Sequence, residues 1–224
     1  MSKKRFLLGT FILTCTGFLS RILGFFYRIF LSHTIGAQGL GIVQLTMPIQ
    51  TLALAVSASG IQTAISRLTA SRFALKEEKG ARQCFFLGTV TALVLSFLCC
   101  GLLYVNADFF ALEILKEGRT LPLLKILAFT FPLSTLHTCV NSYYFARKQT
   151  VLPSAVQLLE QIVRIGSTYM LYLILTAEGK EVTPAIAAGG VLASEVAASL
   201  ALLLALSLHF HPYAKSLFPV KNIR

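Results

Sequence analysis

The chain has 224 residues, of which 55% are hydrophobic and only 13% are charged. A soluble domain carries roughly 25% charged residues, so this composition excludes an ordinary soluble domain and favours a bilayer environment. The net charge of +11 does not indicate nucleic-acid binding, because the lysines and arginines lie between apolar runs and form no basic patch interleaved with aromatic residues.

Six apolar runs are each long enough to cross a bilayer core of about 30 Å, which takes roughly 20 residues of helix. The first run follows three basic residues but continues past a signal-peptide core without a small-residue cleavage site, so we expect a retained span. Lipid-exposed backbone must satisfy its own hydrogen bonds, which requires helices here. We therefore predict an all-α integral membrane protein, a single transmembrane domain over residues 1–224, with six helices at about 8–33, 40–68, 84–106, 120–146, 151–176 and 184–210.

The loops between these runs differ in charge. Twelve lysines and arginines fall on one side of the predicted bundle: Lys3, Lys4, Arg5, Arg72, Lys76, Lys79, Arg82, Arg147, Lys148, Lys215, Lys221 and Arg224. Three fall on the other side, Lys116, Arg119 and Lys180, beside five acidic residues. Since lysine and arginine accumulate in cytoplasmic loops, both termini are predicted to be cytoplasmic.

Residues 14–41 carry two arginines, Arg21 and Arg28, inside an apolar run. A charge at bilayer depth is costly and usually faces a bundle interior or a water-filled cavity. The two lie seven residues apart, and Gly17 and Gly24 share their helix face. These small residues leave room either for a neighbouring helix or for an anionic head group. The structural alternative is that Arg28 reaches the nearer interface and Arg21 pairs with an acid on another helix.

The fifth run carries Gln157, Glu160, Gln161 and Arg164. Glu160 and Arg164 are at i, i+4 spacing with the acid nearer the N-terminus, the favourable order for an ion pair. Two interpretations stay open: a self-neutralised pair, because pairing lowers the cost of burying either charge, or a third cavity cation oriented by Glu160.

Glu195, near the middle of the sixth run, has no basic residue close in sequence. It needs a partner from another helix or a proton, and Arg21 and Arg28 are the obvious candidates. His137 and Asn141 share a face of the fourth run and are expected to form hydrogen bonds between helices.

No pattern in the chain indicates enzyme chemistry. The cysteines and histidines form no metal-binding spacing, so no metal or other cofactor is expected. The free cysteines are expected to pack as small apolar residues: Cys15, Cys84, Cys99, Cys100 and Cys139.

Two segments carry a family resemblance. The first is SRILGFFYRIFLSHTIGAQGLG, residues 20–41, which resembles the first-span signature of the multidrug/oligosaccharidyl-lipid/polysaccharide exporter superfamily. The second is NSYYFARKQTVLPSAVQLLEQIVRI, residues 141–165, which resembles a landmark spanning the fourth and fifth helices. Within the superfamily, the chain is most similar to polysaccharide flippases of the stage V sporulation protein B type. Members have two helix lobes, and this chain resembles the N-terminal lobe only.

The resemblance implies a non-enzymatic transporter of the bacterial cytoplasmic membrane. It would flip a lipid-linked oligosaccharide, such as a cell-wall or polysaccharide precursor, by alternating access. Buried arginines bind phosphate bidentately, so the expected head-group contacts are Arg21, Arg28 and Arg164. The expected polar or charge partners in the cavity are Glu160, Glu195, Gln157 and Asn141. The implied partners are the lipid bilayer, an anionic lipid-linked sugar, and either a C-terminal lobe or a second copy.

Two alternatives stay open at the level of sequence. A cation-coupled drug exporter of the same superfamily would need cavity carboxylates, and only Glu160 and Glu195 are available within the spans. The other alternative is a non-transporting remnant of a longer gene.

Overall fold

A computed structural model describes residues 3–217, with side chains described for residues 9–208. Six of the cations used above for orientation lie outside the described side chains: Lys3, Lys4, Arg5, Lys215, Lys221 and Arg224. Residues 3–217 contain no strand. The helices are α1 (Lys3–Leu54), α2 (Gly60–Ala74), α3 (Glu78–Val105), α4 (Ala107–Phe109), α5 (Leu121–Ala128), α6 (Thr130–Ala146), α7 (Val151–Ala177) and α8 (Ala185–Leu217), with π-helical turns at Ala55–Ser59 and Phe110–Ile114 and a 3-10 turn at Gly118–Thr120.

The helix α1 is broken at Gly36, whose φ of 72° and ψ of 173° are not helical. Glycine is suited to this position because a Cβ disfavours positive φ. Residues 24 to 31 and residues 40 to 50 line the same small cavity. In a straight helix, residues 24 and 50 would be about 39 Å apart, so the chain turns back at Gly36.

Within residues 9–208, four helical stretches are long and apolar enough to cross a membrane: Gly9–Ala74, Glu78–Val105, Val151–Ala177 and Ala185–Leu208. A fifth candidate is the pair Gly118–Ala128 and Thr130–Ala146, which meet at 43° just before Pro132. Proline lacks the N–H that would continue the helical hydrogen bonds, which accounts for the bend. The all-α character with membrane-length apolar helices is confirmed. Six spans stay a prediction, because the single stretch Gly9–Ala74 covers two of the predicted ones.

The first half of α1 packs along α7. The Thr150 hydroxyl donates to the Gly9 carbonyl at 3.2 Å, and the hydroxyls of Tyr27 and Thr168 lie 3.1 Å apart. Both pairs are separated by 141 residues in sequence, so the two helices run parallel in constant register.

On its other side, α7 packs antiparallel against α8. Arg164 Nε donates to Ser194 Oγ at 3.4 Å, and Ser167 Oγ donates to the Gly190 carbonyl at 3.5 Å. A Cβ at Gly190 would collide with the Thr168 side chain and lie 3.1 Å from the Arg164 carbonyl oxygen. The absence of a side chain at Gly190 therefore sets the close approach of α7 and α8.

The helix α8 also runs antiparallel to α6, since Ser199 Oγ donates to the Leu133 carbonyl at 3.1 Å. A buried aromatic group anchors one end of α6, where the Tyr143 ring lies 4.8 Å from Phe85 and 5.8 Å from Phe73. Many large apolar side chains elsewhere point outward, as a lipid-facing surface requires. This packing leaves the polar residues of α1, α6, α7 and α8 in the interior or along one open face.

Candidate substrate-binding site

Two adjoining spaces lie against α1 and α7. The inner cavity has a volume of about 190 Å³ and is lined by residues of α1, α5, α7 and α8, including Tyr27, Arg28, Gln44, Gln50, Gln161 and Arg164. The second space, here called the arginine cleft, is more open, has a volume of about 510 Å³, and is lined by Gly17, Ser20, Arg21, Gly24, Phe25, Arg28, Gln157 and Gln161. Gly24, Arg28 and Gln161 line both spaces, so a ligand bound in the arginine cleft could extend into the inner cavity.

The arginine face of α1 is open. Arg21 and Arg28 are both exposed, and within the described side chains neither takes part in an ion pair. A Cβ built at Gly17 or Gly24 would find no atom within 4 Å. The sequence left two roles open for these glycines, contact with a neighbouring helix or room for an anionic head group. The structure shows open space beside them and no close helix contact.

The third arginine is held differently. Arg164 forms an ion pair with Glu160 on the same helix, and both side chains are largely buried, at 21% and 15% exposed. Its Nε donates to Ser194 on α8, while the same residue also lines the inner cavity. The predicted i, i+4 pair is thus present, and its arginine still faces the cavity.

Glu195 is buried, at 8% exposed, and its Oε2 lies 3.5 Å from Nδ1 of His137 on α6. Glu195 therefore lies in the interior, as predicted, whereas its predicted approach to a cation on another helix stays a prediction, because its neighbour is a histidine. The predicted partners were wrong, however, because the structure pairs it with His137 and not with Arg21 or Arg28. The reason is register: α6 and α8 run antiparallel with residues 133 and 199 in contact, which brings 137 level with 195.

Glu195 Oε2 and Asn141 Oδ1 are among the buried side-chain oxygens that have no hydrogen-bond partner in the described part of the chain. The contact of Glu195 with His137 is close enough for an ion pair but is not aligned as a hydrogen bond. Asn141 lies one turn beyond His137 on α6 and lines neither space. The expected hydrogen bond from Asn141 to another helix is absent among the described side chains.

The structure brings four of the predicted residues to the two spaces: Arg21, Arg28, Arg164 and Gln157. Glu160 is paired with Arg164 but lines neither space, and Glu195 and Asn141 line neither space. The sequence analysis did not select Gln161, which lines both spaces, or Tyr27, which lines the inner cavity. Gln161 was detectable as the i+4 neighbour of Gln157, on the same helix face as Arg164.

The two spaces share one electrostatic character. Among the described residues that line them, three are arginines and none is acidic. No group of three His, Cys, Asp or Glu residues in the described part of the chain is placed to hold a metal ion. Guanidinium groups beside glutamine amides suit an anion, because arginine binds phosphate and carboxylate through two parallel hydrogen bonds.

Fold and site together define a helical integral membrane protein with a cationic cavity. The family model of the polysaccharide biosynthesis proteins matches residues 6–224, so the chain belongs to this family. The predicted resemblance is therefore confirmed.

Two relatives from Bacillus subtilis (strain 168) match the chain. It is 34% identical to stage V sporulation protein B over 212 residues, which is 94% of this chain and 40% of that relative. It is 30% identical to lipid II flippase MurJ over 175 residues, which is 74% of this chain and 32% of that relative. The chain thus spans less than half the length of either relative. No solved structure gives a significant match.

Proposed function

We propose that this chain forms one helical lobe of a flippase that moves a lipid-linked sugar diphosphate across the bacterial cytoplasmic membrane. The observation that carries the proposal is the convergence of Arg21, Arg28 and Arg164 on two adjoining spaces with no acidic lining residue. A diphosphate linkage supplies the negative charge that such a site favours, and no covalent step is needed.

Alternating access requires a second wall that closes against the first. The arginine cleft is open along α1, and the aligned region covers 40% of one relative and 32% of the other. We infer that a second helical bundle, either a C-terminal lobe or another copy, supplies that wall. The exposed Phe18, Phe25 and Phe26 on α1 provide apolar surface for such a contact or for lipid.

The three arginines that line the two spaces favour anionic cargo over the alternative of a cation-coupled drug exporter. The two acids that such an exporter would need in its cavity are Glu160, which is paired with Arg164, and Glu195, which lies beside His137. Neither acid lines either space.

Six spans with both ends in the cytoplasm also belong to this proposal. Since α1 and α7 run parallel, both begin on the same side of the bundle, which requires an even number of crossings between residues 9 and 150. The stretches Glu78–Val105 and Gly118–Ala146 account for two. The break at Gly36 supports two more spans within Gly9–Ala74, and the cation asymmetry of the loops favours the cytoplasm as the common side.

Binding tests the proposal most directly. The full chain in lipid nanodiscs should bind a lipid-linked sugar diphosphate, and Arg21→Ala should weaken binding about tenfold or more, the range of a lost charged hydrogen bond. Arg21→Lys should also lose much of the affinity, because lysine lacks the planar fork. Arg67, an exposed arginine that lines neither space, provides the matched control, and Arg67→Ala should bind as the unmodified chain does. Unchanged binding by Arg21→Ala at normal membrane abundance would end the head-group role.

Reporter fusions test the topology. Fusions after Lys148 and after Arg224 should both report a cytoplasmic position, and a fusion after Gly179 should report the opposite side. A periplasmic signal after Lys148 would contradict the assignment.

A further inference from the structure

Four ionisable side chains meet where α6, α7 and α8 pack together. They are His137 on α6, Glu160 and Arg164 on α7, and Glu195 on α8. The two pairs adjoin, because Arg164 Nε donates to Ser194 Oγ, and Ser194 is the residue next to Glu195 on α8. On the side of α1, the nearest ionisable groups are Tyr27, bonded to Thr168, and Arg28 across the inner cavity.

The cluster holds two carboxylates and one permanent cation. Glu160 and Arg164 form an ion pair, whereas Glu195 lies beside a histidine. An uncompensated charge in a low-dielectric interior is costly, so a change that takes Arg164 away from Glu160 favours a proton on the carboxylate left behind. Glu195 Oε2 is buried without a hydrogen-bond partner among the described side chains, so the second acid offers Glu160 no compensation.

Arg164 connects this cluster to the inner cavity. Its guanidinium contacts Glu160 and Ser194 on one side, and the residue lines the cavity on the other. An anion in the cavity competes with Glu160 for the same guanidinium. When Arg164 turns toward the anion, Glu160 loses its counter-ion while it is only 15% exposed.

We propose that the cluster of His137, Glu160, Arg164 and Glu195 is a proton-binding site, and that an anion bound at Arg164 is accompanied by a proton taken from water onto Glu160. The step forms an O–H bond on the Glu160 carboxylate and leaves the bound anion unchanged. This inference rests on the proposed anion site and identifies the proton as the ion that accompanies the cargo.

The test measures proton uptake during anion binding. The probe is UDP-glucose, a soluble sugar diphosphate whose charge is fixed near neutral pH, with uridine as the uncharged control. Titration calorimetry of the full chain in nanodiscs, in buffers of different ionisation enthalpy, should give about one proton taken up per anion bound. The affinity should then rise about tenfold for each unit by which the pH is lowered, the linkage slope for one proton.

Glu160→Gln should bind UDP-glucose without proton uptake and with an affinity that no longer depends on pH. Glu181→Gln, in the exposed loop before α8, is the matched control and should behave as the unmodified chain does. Glu160→Gln removes the ion-pair partner of Arg164 and could disturb folding, so a second measurement uses the unmodified chain. In infrared difference spectroscopy, UDP-glucose should produce a new protonated-carboxyl band.

The outcomes separate the two proposals. Binding of UDP-glucose without proton uptake, or without the carboxyl band, overturns the coupling and leaves the anion site standing. Equal proton uptake by Glu160→Gln overturns the assignment to Glu160. Failure of the chain to bind UDP-glucose any better than uridine removes both the coupling and the anion site.

Discussion

The two sides of α7 accommodate charge and polarity in opposite ways. Toward α8 the helices approach closely over Gly190, and Arg164 is held by Glu160 and Ser194. Toward α1, Gly17 and Gly24 leave open space. Arg21 and Arg28 are exposed and line the arginine cleft.

The difference shows two physical solutions to an arginine at bilayer depth. One is a counter-ion in the same helix, which neutralises the charge and fixes its geometry. The other is access to water or to an anionic ligand, which keeps the guanidinium available for binding. Arg164 lies at the boundary and uses both, because it pairs with Glu160 and still lines the inner cavity.

The largest effect on stability should come from removing an ion-pair partner on the side of α7 that faces α8. Arg164→Ala leaves Glu160 buried without its cation and should lower the free energy of unfolding by about 3–5 kcal/mol, the usual range for a broken buried pair. The measurement is unfolding in mixed micelles by circular dichroism. The double variant Glu160→Leu, Arg164→Leu should regain most of the loss, since no charge is then left unpaired. Unchanged stability of Arg164→Ala would mean that Glu160 is neutral or hydrated in the folded protein.

A smaller loss should follow from filling the contact between α7 and α8. Gly190→Ala places a methyl group against Thr168 and should lower the free energy of unfolding by about 1–3 kcal/mol, as overpacking does. Gly166→Ala, where the added Cβ meets no atom within 4 Å, serves as control and should be neutral or stabilising by up to about 1 kcal/mol. Equal losses of unfolding free energy for Gly190→Ala and Gly166→Ala would contradict the tighter packing at Gly190.

On the open side, a larger side chain should affect binding and not folding. Gly24→Leu projects into both spaces and should weaken binding of UDP-glucose about tenfold, or ~1.4 kcal/mol. Gly41→Leu on the same helix lines neither space and should bind normally. Thermal unfolding of both variants checks that the bundle is intact. Normal binding by Gly24→Leu would show that neither space holds the ligand.

The smallest effect concerns an ion pair outside the spans. Hydrogen bonds from the side chain and backbone N–H of Arg119 lower the pKa of Glu117 below its ordinary value. The stabilisation is therefore present above the pKa of the unfolded chain and is lost as the pH falls through the lower pKa of the folded chain. Because the pair is exposed, Arg119→Ala should raise the pKa of Glu117 in an NMR titration while the unfolding curve stays unchanged. A shift in unfolding as large as that of Arg164→Ala would contradict the distinction between exposed and buried pairs.

Sequence reasoning identified the features that depend on local spacing. The pair of Glu160 and Arg164, and the shared face of Arg21, Arg28, Gly17 and Gly24, follow from helical periodicity alone. The partner of Glu195 did not follow, because it depends on the register between α6 and α8.

Long-range geometry also decided other details. The turn at Gly36 was expected as a loop between two spans, whereas the structure makes it a single non-helical residue within α1. Gln161 lines both spaces because of how α7 is rotated against α1, and Asn141 lines neither because no residue of α6 reaches them. Periodicity within one helix cannot supply either fact.

The constant offset of 141 residues between α1 and α7 has a consequence for biosynthesis. Chains elongate at about 5–20 residues per second, so α1 is made roughly 7–28 s before the helix that packs along it. During that interval Arg21 and Arg28 lie in a helix that lacks its α7 neighbour. The arginine cleft is therefore assembled in two steps: the arginine face of α1 is made first, and the glutamines of α7 that complete the lining follow.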